Sequence, residues 1–522
     1  MHHHTAQPMK QALIGIDIGT TSIKAVAFGV NGDELSKATT PTRTHSPKAG
    51  WSYFDPAEIW TDICAVLRKV LANLPAEIEP AGVAFTSFGE TAAPLNREGQ
   101  PVYDMISWFD ARTQVQADWW AETVGEERTS RITGLPVKPV FGILKLLWLR
   151  ENEPQKFAQI DCWLNTADYG AYRLCGARAT DYSLASRMMV LDLQKRAWSQ
   201  PLLDAIDLPQ SILAELLPSG TLLGYVHAEA ARETGLPQGL PVSCGGHDHI
   251  CAALALGITN AGDIFHSMGT AEAVMVLTKE PVPDPAITKQ GVGQGIHVYP
   301  NRSYAMCGLQ FAGGSMDWVR RLLFAEKRGD NVGSDEGSYP QMVDAARAVP
   351  PGAEGVFFLP HLLRANPPAV DLKSRGAFIG MSREMSKGHL ARAVFEGLAY
   401  EAQQSQDVMK DVLLVAMTQM IATGGGTRND LLMQIKSDLV GRPITMPNVD
   451  EATCLGAAIL AGVGAGVYRN FEDASEQIRY TSRSVEPNME RHAFYQERYV
   501  QVYQKLYETL KEINHTINDW EA

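Results

Sequence analysis

The sequence lacks the features that mark several large functional classes. Its seven cysteines are an odd number without any CxxC spacing, which argues against a disulfide framework or a zinc site. The longest apolar stretch, 457–467, is short and broken by glycines, so no membrane span is expected. A formal net charge of −13 disfavours non-specific binding to nucleic acid or to an anionic membrane. A cytoplasmic protein with reduced thiols is therefore expected.

What is present favours an α/β protein of two large domains. A chain of 522 residues exceeds what one hydrophobic core supports. Residues 1–10 carry three histidines and are set aside as a tag or disordered tail. Strand and helix patterns alternate over the rest of the chain, which predicts layered α/β architecture. The segment 490–517 predicts one long amphipathic helix that packs back onto one of the domains.

A strand-turn motif near the N-terminus is followed by a similar motif 250 positions later. Residues 14–22 are Ile-Gly-Ile-Asp-Ile-Gly-Thr-Thr-Ser, and residues 264–272 are Ile-Phe-His-Ser-Met-Gly-Thr-Ala-Glu. Two such units far apart indicate two related halves rather than a solenoid of short repeats. A Gly-Thr turn lets backbone N–H groups approach a phosphate, and the hydroxyl adds a donor. Two facing turns are therefore expected to clamp a polyphosphate between two domains.

Asp17 ends the first predicted strand, where a carboxylate can orient a magnesium-bound water near the phosphates. The alternative is an Asp that only stabilises the turn. The residues that follow favour phosphate binding: Thr20, Thr21, Ser22 and Lys24. For Lys24, the alternative is a solvated surface lysine.

Asp248 lies in Gly-Gly-His-Asp-His at 245–249, directly before an Ala-rich helix. A carboxylate there, in the cleft between two halves, can act as general base on a hydroxyl. The alternative is a helix N-cap, for which Asp is among the best residues. The flanking His247 and His249 can hydrogen-bond a polyhydroxylated substrate, whereas three adjacent residues make a poor metal site.

Two further regions carry polar groups suited to ligands. The glycine-rich segment 424–429 follows an apolar strand and suits a ribose, base or α-phosphate, although Asn429 breaks the dinucleotide pattern. A glycine turn without a ligand is the alternative there. Loops of the first half carry an aromatic face and charged groups suited to sugar hydroxyls: Glu90, Trp108, Asp110 and Arg112. The alternatives are a core role for Trp108 and a local Asp110–Arg112 ion pair.

The order of these motifs is similar to that of a known family. Residues 376–381 (Gly-Ala-Phe-Ile-Gly-Met), then His389-Leu390, then 393–396 (Ala-Val-Phe-Glu) fit the C-terminal signature of the FGGY carbohydrate kinases. On these residues the chain resembles the FGGY family over roughly residues 11–470, within a group often labelled xylulokinase-like. The segments 108–112 and 145–149 look like family landmarks, while Gly142 stands where a Ser, Thr or Pro is usual.

The resemblance implies a fold, cofactors and domain limits. It implies duplicated actin-like, ribonuclease H-like ATPase domains with ATP and Mg2+ in the cleft between them. The implied first domain, over 11–253, binds the sugar and carries one phosphate hairpin. The implied second domain, over 254–470, binds the nucleotide, and a C-terminal linker and long helix follow over 471–522.

The resemblance also implies roles for individual residues. Asp248 is the expected catalytic base, and Asp17 is expected to help place magnesium. The expected phosphate and nucleotide contacts are Thr20, Thr21, Ser22, Lys24, Gly269, Thr270, Gly313, Asp317, Gly425 and Asn429. Asp317 departs from the amide that glycerol kinases carry there. The expected substrate contacts are Glu90, Trp108, Asp248 and His249, to which the loop composition adds Asp110.

The expected activity is phosphorylation of a terminal hydroxyl of a small ketose, with a pentulose such as xylulose favoured, or of a related polyol. Gly89 and Val140 depart from the arginine and tyrosine of glycerol kinases, and residues 87–90 and His249 depart from typical xylulokinases.

The alternatives are an actin-like ATPase acting on a protein partner, a catalytically silent sugar-binding regulator and, more weakly, an oxidoreductase. The expected partner is a small sugar or polyol. Family members are often dimers or tetramers, so a homodimer is one assembly to test.

Overall fold

Residues 10–325, 338–413 and 415–521 are those that the structure, a computed structural model, describes. Of the predicted tail, residues 1–9 lie outside the described residues, and Lys10 begins the first strand.

Two large sheets share one topology, which accounts for the similarity of the sequence motifs at 14–22 and 264–272. In the first sheet, strand Lys10–Ile18 pairs antiparallel with Ser22–Gly29 and parallel with Ile78–Ser87. In the second sheet, strand Ile264–Met268 has the same two kinds of neighbour, with Glu272–Thr278 antiparallel and a later strand parallel. The predicted duplication of an α/β unit is therefore confirmed.

Each sheet runs from hairpin-connected antiparallel strands, through parallel strands, to an antiparallel edge. In spatial order the first sheet contains Glu34–Pro41, Ser22–Gly29, Lys10–Ile18, Ile78–Ser87, Pro241–His247 and Leu222–Tyr225. The second sheet contains Gly293–Ile296, Ser303–Leu309, Glu272–Thr278, Ile264–Met268, Met420–Thr423, Ile444–Pro447 and Ser482–Val485. Paired short strands are Tyr53–Phe54 with Met105–Ile106, Ala92–Leu95 with Cys162–Asn165, Ala179–Asp181 with Glu215–Leu217, Leu191–Asp192 with Ala197–Trp198, and Phe357–Leu359 with Ala377–Ile379.

Helices connect the strands and cover the sheets. In the first half they are Pro56–Ala72, Gln114–Trp120, Glu126–Thr133, Gly142–Asn152, Pro154–Phe157, Thr166–Cys175, Tyr182–Ala185, Gln200–Ala205, Ala228–Thr234 and Asp248–Ala255. In the second half they are Pro285–Lys289, Ala312–Leu323, Ser338–Arg347, Lys387–Leu413, Asp430–Val440, Ala452–Gly464, Phe471–Gln477, Met489–Arg498 and Gln504–Glu521. The shorter turns are the π-helical segments Ala121–Gly125 and Tyr499–Tyr503 and the 3-10 segments Ser186–Met188, Gln210–Ile212, Ala353–Gly355 and Gly425–Arg428.

Two helices, Asp248–Ala255 and Ala452–Gly464, pack between the sheets in one shared apolar core. Glycines bring their backbones unusually close to their neighbours. A methyl group added at Gly15 would lie 1.8 Å from the carbonyl oxygen of Cys454, and one added at Gly456 would lie 2.0 Å from that of Cys251. The helix Ala452–Gly464, which follows a strand of the second sheet, therefore rests directly on the first sheet.

The C-terminal segment differs from its prediction. Instead of one helix over 490–517, two helices are joined by the π-helical turn Tyr499–Tyr503. Tyr495, Tyr499 and Tyr503 surround Tyr400 in the core of the second domain, so the segment packs on that domain. Residues 482–485 are not a linker, because they form the edge strand of the second sheet. Apolar periodicity predicts a helix but not a local change in its pitch.

The predicted boundary at 253/254 falls inside helix Asp248–Ala255, and the exact domain limits stay a prediction. Each of the seven cysteines lies in the described part of the chain, and none forms a disulfide. Along the described residues, no helix combines the length and apolar character needed to cross a lipid bilayer.

Replacing Gly456 by alanine should destabilise the protein. Helix propensity favours alanine by about 1 kcal/mol, but overpacking against a backbone carbonyl costs about 1–3 kcal/mol and here has no flexible side chain to displace. We expect a net loss of stability, measured as a lower urea midpoint. Gly308→Ala is the control, because its methyl group would lie no closer than 3.5 Å to any neighbour. Equal midpoints for the two variants would contradict the close packing.

Candidate active site

Asp17 and Asp248 lie at the same edge of the first sheet. The register pairs Asp17 with Thr86 and Thr86 with Gly246 on three neighbouring parallel strands, and Asp248 begins the helix after the third strand. The Thr86 hydroxyl donates to the Gly246 carbonyl at 2.8 Å, which fixes this register. Ligands of open α/β sheets bind outside the carboxyl ends of parallel strands, so this edge is the candidate site.

The Asp17 carboxyl is in an environment that disfavours its charge. Burial, the largest cause, and the nearby Asp248 carboxylate together raise its pKa from 3.8 to about 8, although Lys24 partly offsets them. Its Oδ1 is buried and accepts no hydrogen bond. A buried oxygen without a donor is what a hydrated cation at this position would satisfy.

Asp248 is not the N-cap of its helix, because His247 occupies that position. The Asp248 Oδ1 accepts from the backbone N–H of His249 at 2.6 Å, and a quarter of the side chain (25%) is exposed. The alternative that Asp248 serves only as a cap therefore loses its main support. The carboxylate is held by the helix start yet open to a ligand.

Two histidines flank this carboxylate. The His247 Nδ1 lies 3.4 Å from the Asp248 Oδ1, and the rings of His247 and His249 stack with centroids 5.7 Å apart. Burial lowers the pKa of His247 from 6.5 to about 4, against the attraction of Asp248, so its imidazole is neutral at pH 7. A neutral His247 therefore does not provide Asp248 with a cationic partner.

A Gly-Thr turn stands at the end of the corresponding strand of each sheet. In the first turn, the Gly19 N–H donates to the Ser22 carbonyl at 3.0 Å, and the Thr42 hydroxyl donates to the Gly19 carbonyl at 2.7 Å. The second turn, at Gly269–Thr270, is exposed and is closed by the Gly269 N–H donating to the Ala271 carbonyl at 3.0 Å. None of these bonds uses the hydroxyl of Thr20, Thr21 or Thr270, so each turn keeps a hydroxyl that can donate to a ligand.

Gly313 brings a helix N-terminus against the second turn. A methyl group at Gly313 would lie 2.2 Å from the Gly269 carbonyl oxygen, so only glycine permits this approach. The Gly314 N–H donates to the Thr270 carbonyl at 3.1 Å. Asp317, one turn further along, is instead paired with Arg320 at 2.7 Å and Arg321 at 2.9 Å on the helix surface. The nucleotide contact at Asp317 stays a prediction.

The glycine segment 424–429 divides into an open and an engaged part. Gly425 is exposed, and a methyl group there would meet nothing within 4 Å. Asn429 is buried, caps the following helix by accepting from the Leu432 N–H at 3.1 Å, and donates to the Tyr339 hydroxyl at 3.3 Å. Gly425 is thus free to meet a ligand, whereas the Asn429 side chain holds the loop.

Lys24 pairs across the domains with Glu451, at 2.9 Å between Nζ and Oε2. Glu451 lies directly before helix Ala452–Gly464 and also contacts Lys37 at 3.5 Å. Lys24 is near enough to Asp17 to lower the pKa of that carboxyl, so it is not a free surface lysine. Glu451 was not predicted from the sequence, because nothing in its local context relates it to a residue 427 positions away.

Glu90 is held in a strained backbone conformation, with φ at 65°, and its carboxylate lies near enough to His247 to act on the pKa of that imidazole. Its carboxylate forms an ion pair with Arg187, whose Nε donates at 2.6 Å, and its carbonyl accepts from Lys145 Nζ at 2.7 Å. A methyl group at Gly89 would collide with both Arg187 and His247, at 2.9 and 3.0 Å. Arg187, which sequence reasoning missed, is therefore packed beside the histidine that adjoins Asp248.

The two aromatic-loop residues have different surroundings. Trp108 is exposed, and its Nε1 donates to the Thr20 hydroxyl at 3.2 Å, so the alternative of a core tryptophan is wrong. Asp110 is fully buried in a two-point ion pair with Arg112, at 2.8 and 2.7 Å, and also accepts from the Ser52 N–H at 2.5 Å. The predicted substrate contact at Asp110 is corrected to a local structural ion pair.

The residues of this site suit a magnesium ion that is bound to a nucleotide better than a metal ion that is enclosed by protein ligands alone. Within the described ranges, no group of three or more His, Cys, Asp or Glu side chains is arranged to hold a metal ion. Magnesium is usually held by one or two carboxylates together with waters and phosphate oxygens. Asp17, with its unpartnered oxygen, supplies such a carboxylate, and the two Gly-Thr turns are suited to phosphates.

Comparison with known proteins gives one consistent family. The model described as "FGGY family of carbohydrate kinases, N-terminal domain" matches residues 12–255, and its C-terminal counterpart matches residues 265–465. The chain is 30% identical over 511 residues to a xylulose kinase of Lactococcus lactis subsp. lactis (strain IL1403), covering 97% of this chain and 98% of that relative. It is 28% identical over 489 residues to an L-fuculokinase of Escherichia coli (strain K12), covering 92% and 98%.

Among solved structures, the xylulose kinase from Rhodospirillum rubrum matches with a TM-score of 0.89 and 29% identity, covering 97% of this chain and 100% of that one. These matches confirm the predicted resemblance and the duplicated actin-like fold.

Replacing Lys24 by alanine should weaken nucleotide binding. Removing one charge-assisted contact near the phosphates is expected to raise the Kd for MgATP about tenfold, measured by calorimetry. Lys37→Ala is the matched control, because Lys37 contacts the same Glu451 carboxylate but, unlike Lys24, is not among the charges that act on the pKa of Asp17. An unchanged Kd in the Lys24 variant would make Lys24 a structural partner of Glu451 alone.

Proposed function

Because the chain belongs to the FGGY family of carbohydrate kinases, we propose that it phosphorylates a terminal hydroxyl of a small ketose or related polyol, with Asp248 as general base. A pentulose such as xylulose is the favoured substrate, since relatives named xylulose kinase align along nearly the whole chain. The protein is a phosphotransferase acting on an alcohol group, and it uses ATP with Mg2+.

The observation that carries the proposal is the shared edge of Asp17 and Asp248. Two carboxylates with one strand between them, one of which has a buried oxygen without a hydrogen-bond partner, suit a cation-bound phosphate beside a hydroxyl that loses its proton. Asp248 is partly exposed and adjoins a neutral histidine, as a general base requires.

In the proposed reaction, Asp248 accepts the proton of the terminal hydroxyl as that oxygen attacks the γ-phosphoryl group in line. Asp17 orients the hydrated cation, and Lys24 with the two Gly-Thr turns holds the phosphates. When bound, Mg2+ supplies positive charge that offsets the charge on the phosphate oxygens. Most of the acceleration comes from positioning and charge neutralisation, because phosphoryl transfer needs little covalent chemistry from the protein.

The sugar is assigned to the first domain and the nucleotide to the second, within 11–253 and 254–470. Glu90, Trp108 and His249 are the proposed sugar contacts, and Gly425 with Gly313 the proposed nucleotide contacts. Closure of the domains would exclude water and suppress ATP hydrolysis.

The proposed binding partner is a small molecule. The proposed assembly is a homodimer, and light scattering would measure it.

Replacing Asp248 by asparagine should abolish sugar phosphorylation and leave MgATP affinity within about twofold. The amide keeps the size and the helix start but cannot accept the proton, and loss of a general base costs at least about 10²–10⁴-fold in rate. Turnover is measured by coupled ADP release, and affinity by calorimetry. Equal losses of turnover and of affinity in a folded variant would contradict the base and favour a structural role.

A panel of ketoses, aldoses and polyols should give ADP release that depends on the sugar, with the highest kcat/KM for a pentulose. The same assay separates the rival functions. ATP turnover indifferent to every sugar would favour an actin-like ATPase acting on a protein partner. Sugar binding without turnover would favour a catalytically silent regulator.

A further inference from the structure

Three charged or titratable side chains are bonded together inside the second domain, away from the carboxylates of the first. The Glu272 Oε2 lies 2.7 Å from the Lys436 Nζ and 2.7 Å from the His266 Nε2. The Glu272 and Lys436 side chains are each 1% exposed, and that of His266 is 0% exposed. These three residues form what we term the buried triad.

The triad joins two segments that the proposed function assigns to the nucleotide. Glu272 is the first residue after the phosphate turn 269–271, and its register partner across that turn is Met268. Lys436 lies on helix Asp430–Val440, which begins directly after the glycine segment 424–429. A contact between Glu272 and Lys436 therefore ties the strand that leaves one segment to the helix that leaves the other.

The glycine segment also contacts Met268, the residue directly before the phosphate turn. A methyl group at Gly424 would lie 2.5 Å from the Met268 carbonyl oxygen, and one at Gly426 would lie 3.0 Å from the Met268 Cβ. Gly424 has a φ of +94°, so glycine is needed there for both space and conformation. The spacing between the phosphate turn and the glycine segment is thus set by the buried Met268 and by the triad.

The fold itself does not need this triad. By strand register, the positions of the first half that are equivalent to His266 and Glu272 are Ile16 and Ile23, both buried, and that hairpin forms the same paired strands. Buried ion pairs are often no more stabilising than apolar side chains of similar volume. Since the first half of the same chain forms this hairpin with apolar side chains, stability alone does not explain why three polar groups are buried here.

The electrostatics of the triad make it rigid rather than adjustable. Burial would raise the pKa of Glu272, but Lys436 and His266 outweigh burial and lower it from 4.5 to about 2. The carboxylate therefore stays ionised. Separating it from Lys436 would leave a buried charge without a partner, which is strongly unfavourable.

We propose that Glu272 and Lys436 are positioning residues that fix the distance between the phosphate turn 269–271 and the glycine segment 424–429, so that one nucleotide spans both. The inference rests on the proposed function, because that function assigns both segments to the nucleotide. It implies that the triad affects ligands that reach both segments and does not affect ligands that reach only one.

The test compares MgADP with adenosine, which carries no phosphate. In the double variant Glu272→Gln, Lys436→Met, which removes both charges together, we expect the Kd for MgADP to rise about tenfold to a hundredfold, as for lost supporting contacts elsewhere. The Kd for adenosine, measured by competition, should change less than about twofold. The KM for the sugar should not change.

A matched control exists in the same domain. Glu396 forms a buried ion pair with Arg392 at 2.8 Å, with side chains 3% and 6% exposed, and it also bonds to Tyr495 rather than to a nucleotide segment. Glu396→Gln should lower the melting temperature without changing the ratio of the MgADP and adenosine affinities. Glu272→Asp, which keeps the charge and shortens its reach, is a milder variant for the case in which the double variant does not fold. It should raise the Kd for MgADP by a smaller factor.

Two results would overturn the inference: an unchanged MgADP affinity in folded triad variants, or equal losses for MgADP and adenosine. Neither result bears on the kinase assignment, which is decided by sugar-dependent ADP release from the unaltered protein. If the unaltered protein bound no adenine nucleotide, the proposed function and this inference would fall together.

Discussion

The contact between helix Ala452–Gly464 and the first sheet is the constraint on which the rest of the structure depends. Gly15 and Gly456 allow backbone to lie against backbone, with no side chain between the two segments at these two points. That helix follows a strand of the second sheet, so its position fixes one sheet relative to the other. Glu451, at its start, then reaches Lys24 beside Asp17. The packing that joins the domains therefore also brings a residue of the second domain to the site of the first.

At that site, charge is arranged at the expense of local stability. Asp17 keeps an oxygen without a donor, Asp248 adds a second negative charge, and Glu90 holds an unfavourable backbone conformation beside an ion pair. Unsatisfied and strained groups persist where the surrounding structure enforces them, and they concentrate at functional sites. Asp17 and Asp248 lie at one sheet edge, where a magnesium-bound phosphate and a hydroxyl would satisfy their oxygens.

Short sequence patterns predicted those features of the structure that depend on residues close together in the chain. The two Gly-Thr hairpins, the α/β class and the position of Asp248 before a helix followed from short motifs, because strand and turn preferences act over a few residues. The partners of these motifs did not follow. Arg187 meets Glu90 across 97 positions and Lys436 meets Glu272 across 164, and neither pair has a local signature. Asp110 was assigned to the substrate because its residue type suits sugars, whereas burial with Arg112 gives it a structural role.

The central claim is that Asp17 serves the metal-bound phosphate and Asp248 the reacting hydroxyl at one sheet edge. A crystal structure with ADP, Mn2+ in place of Mg2+, and the best sugar of the substrate panel tests it directly, because Mn2+ is located by its anomalous scattering. The account predicts one manganese ion beside Asp17, within reach of one bridging water, and a terminal sugar hydroxyl within about 3 Å of the Asp248 carboxylate. A manganese ion remote from Asp17, or a sugar hydroxyl hydrogen-bonded to a different base, would contradict it.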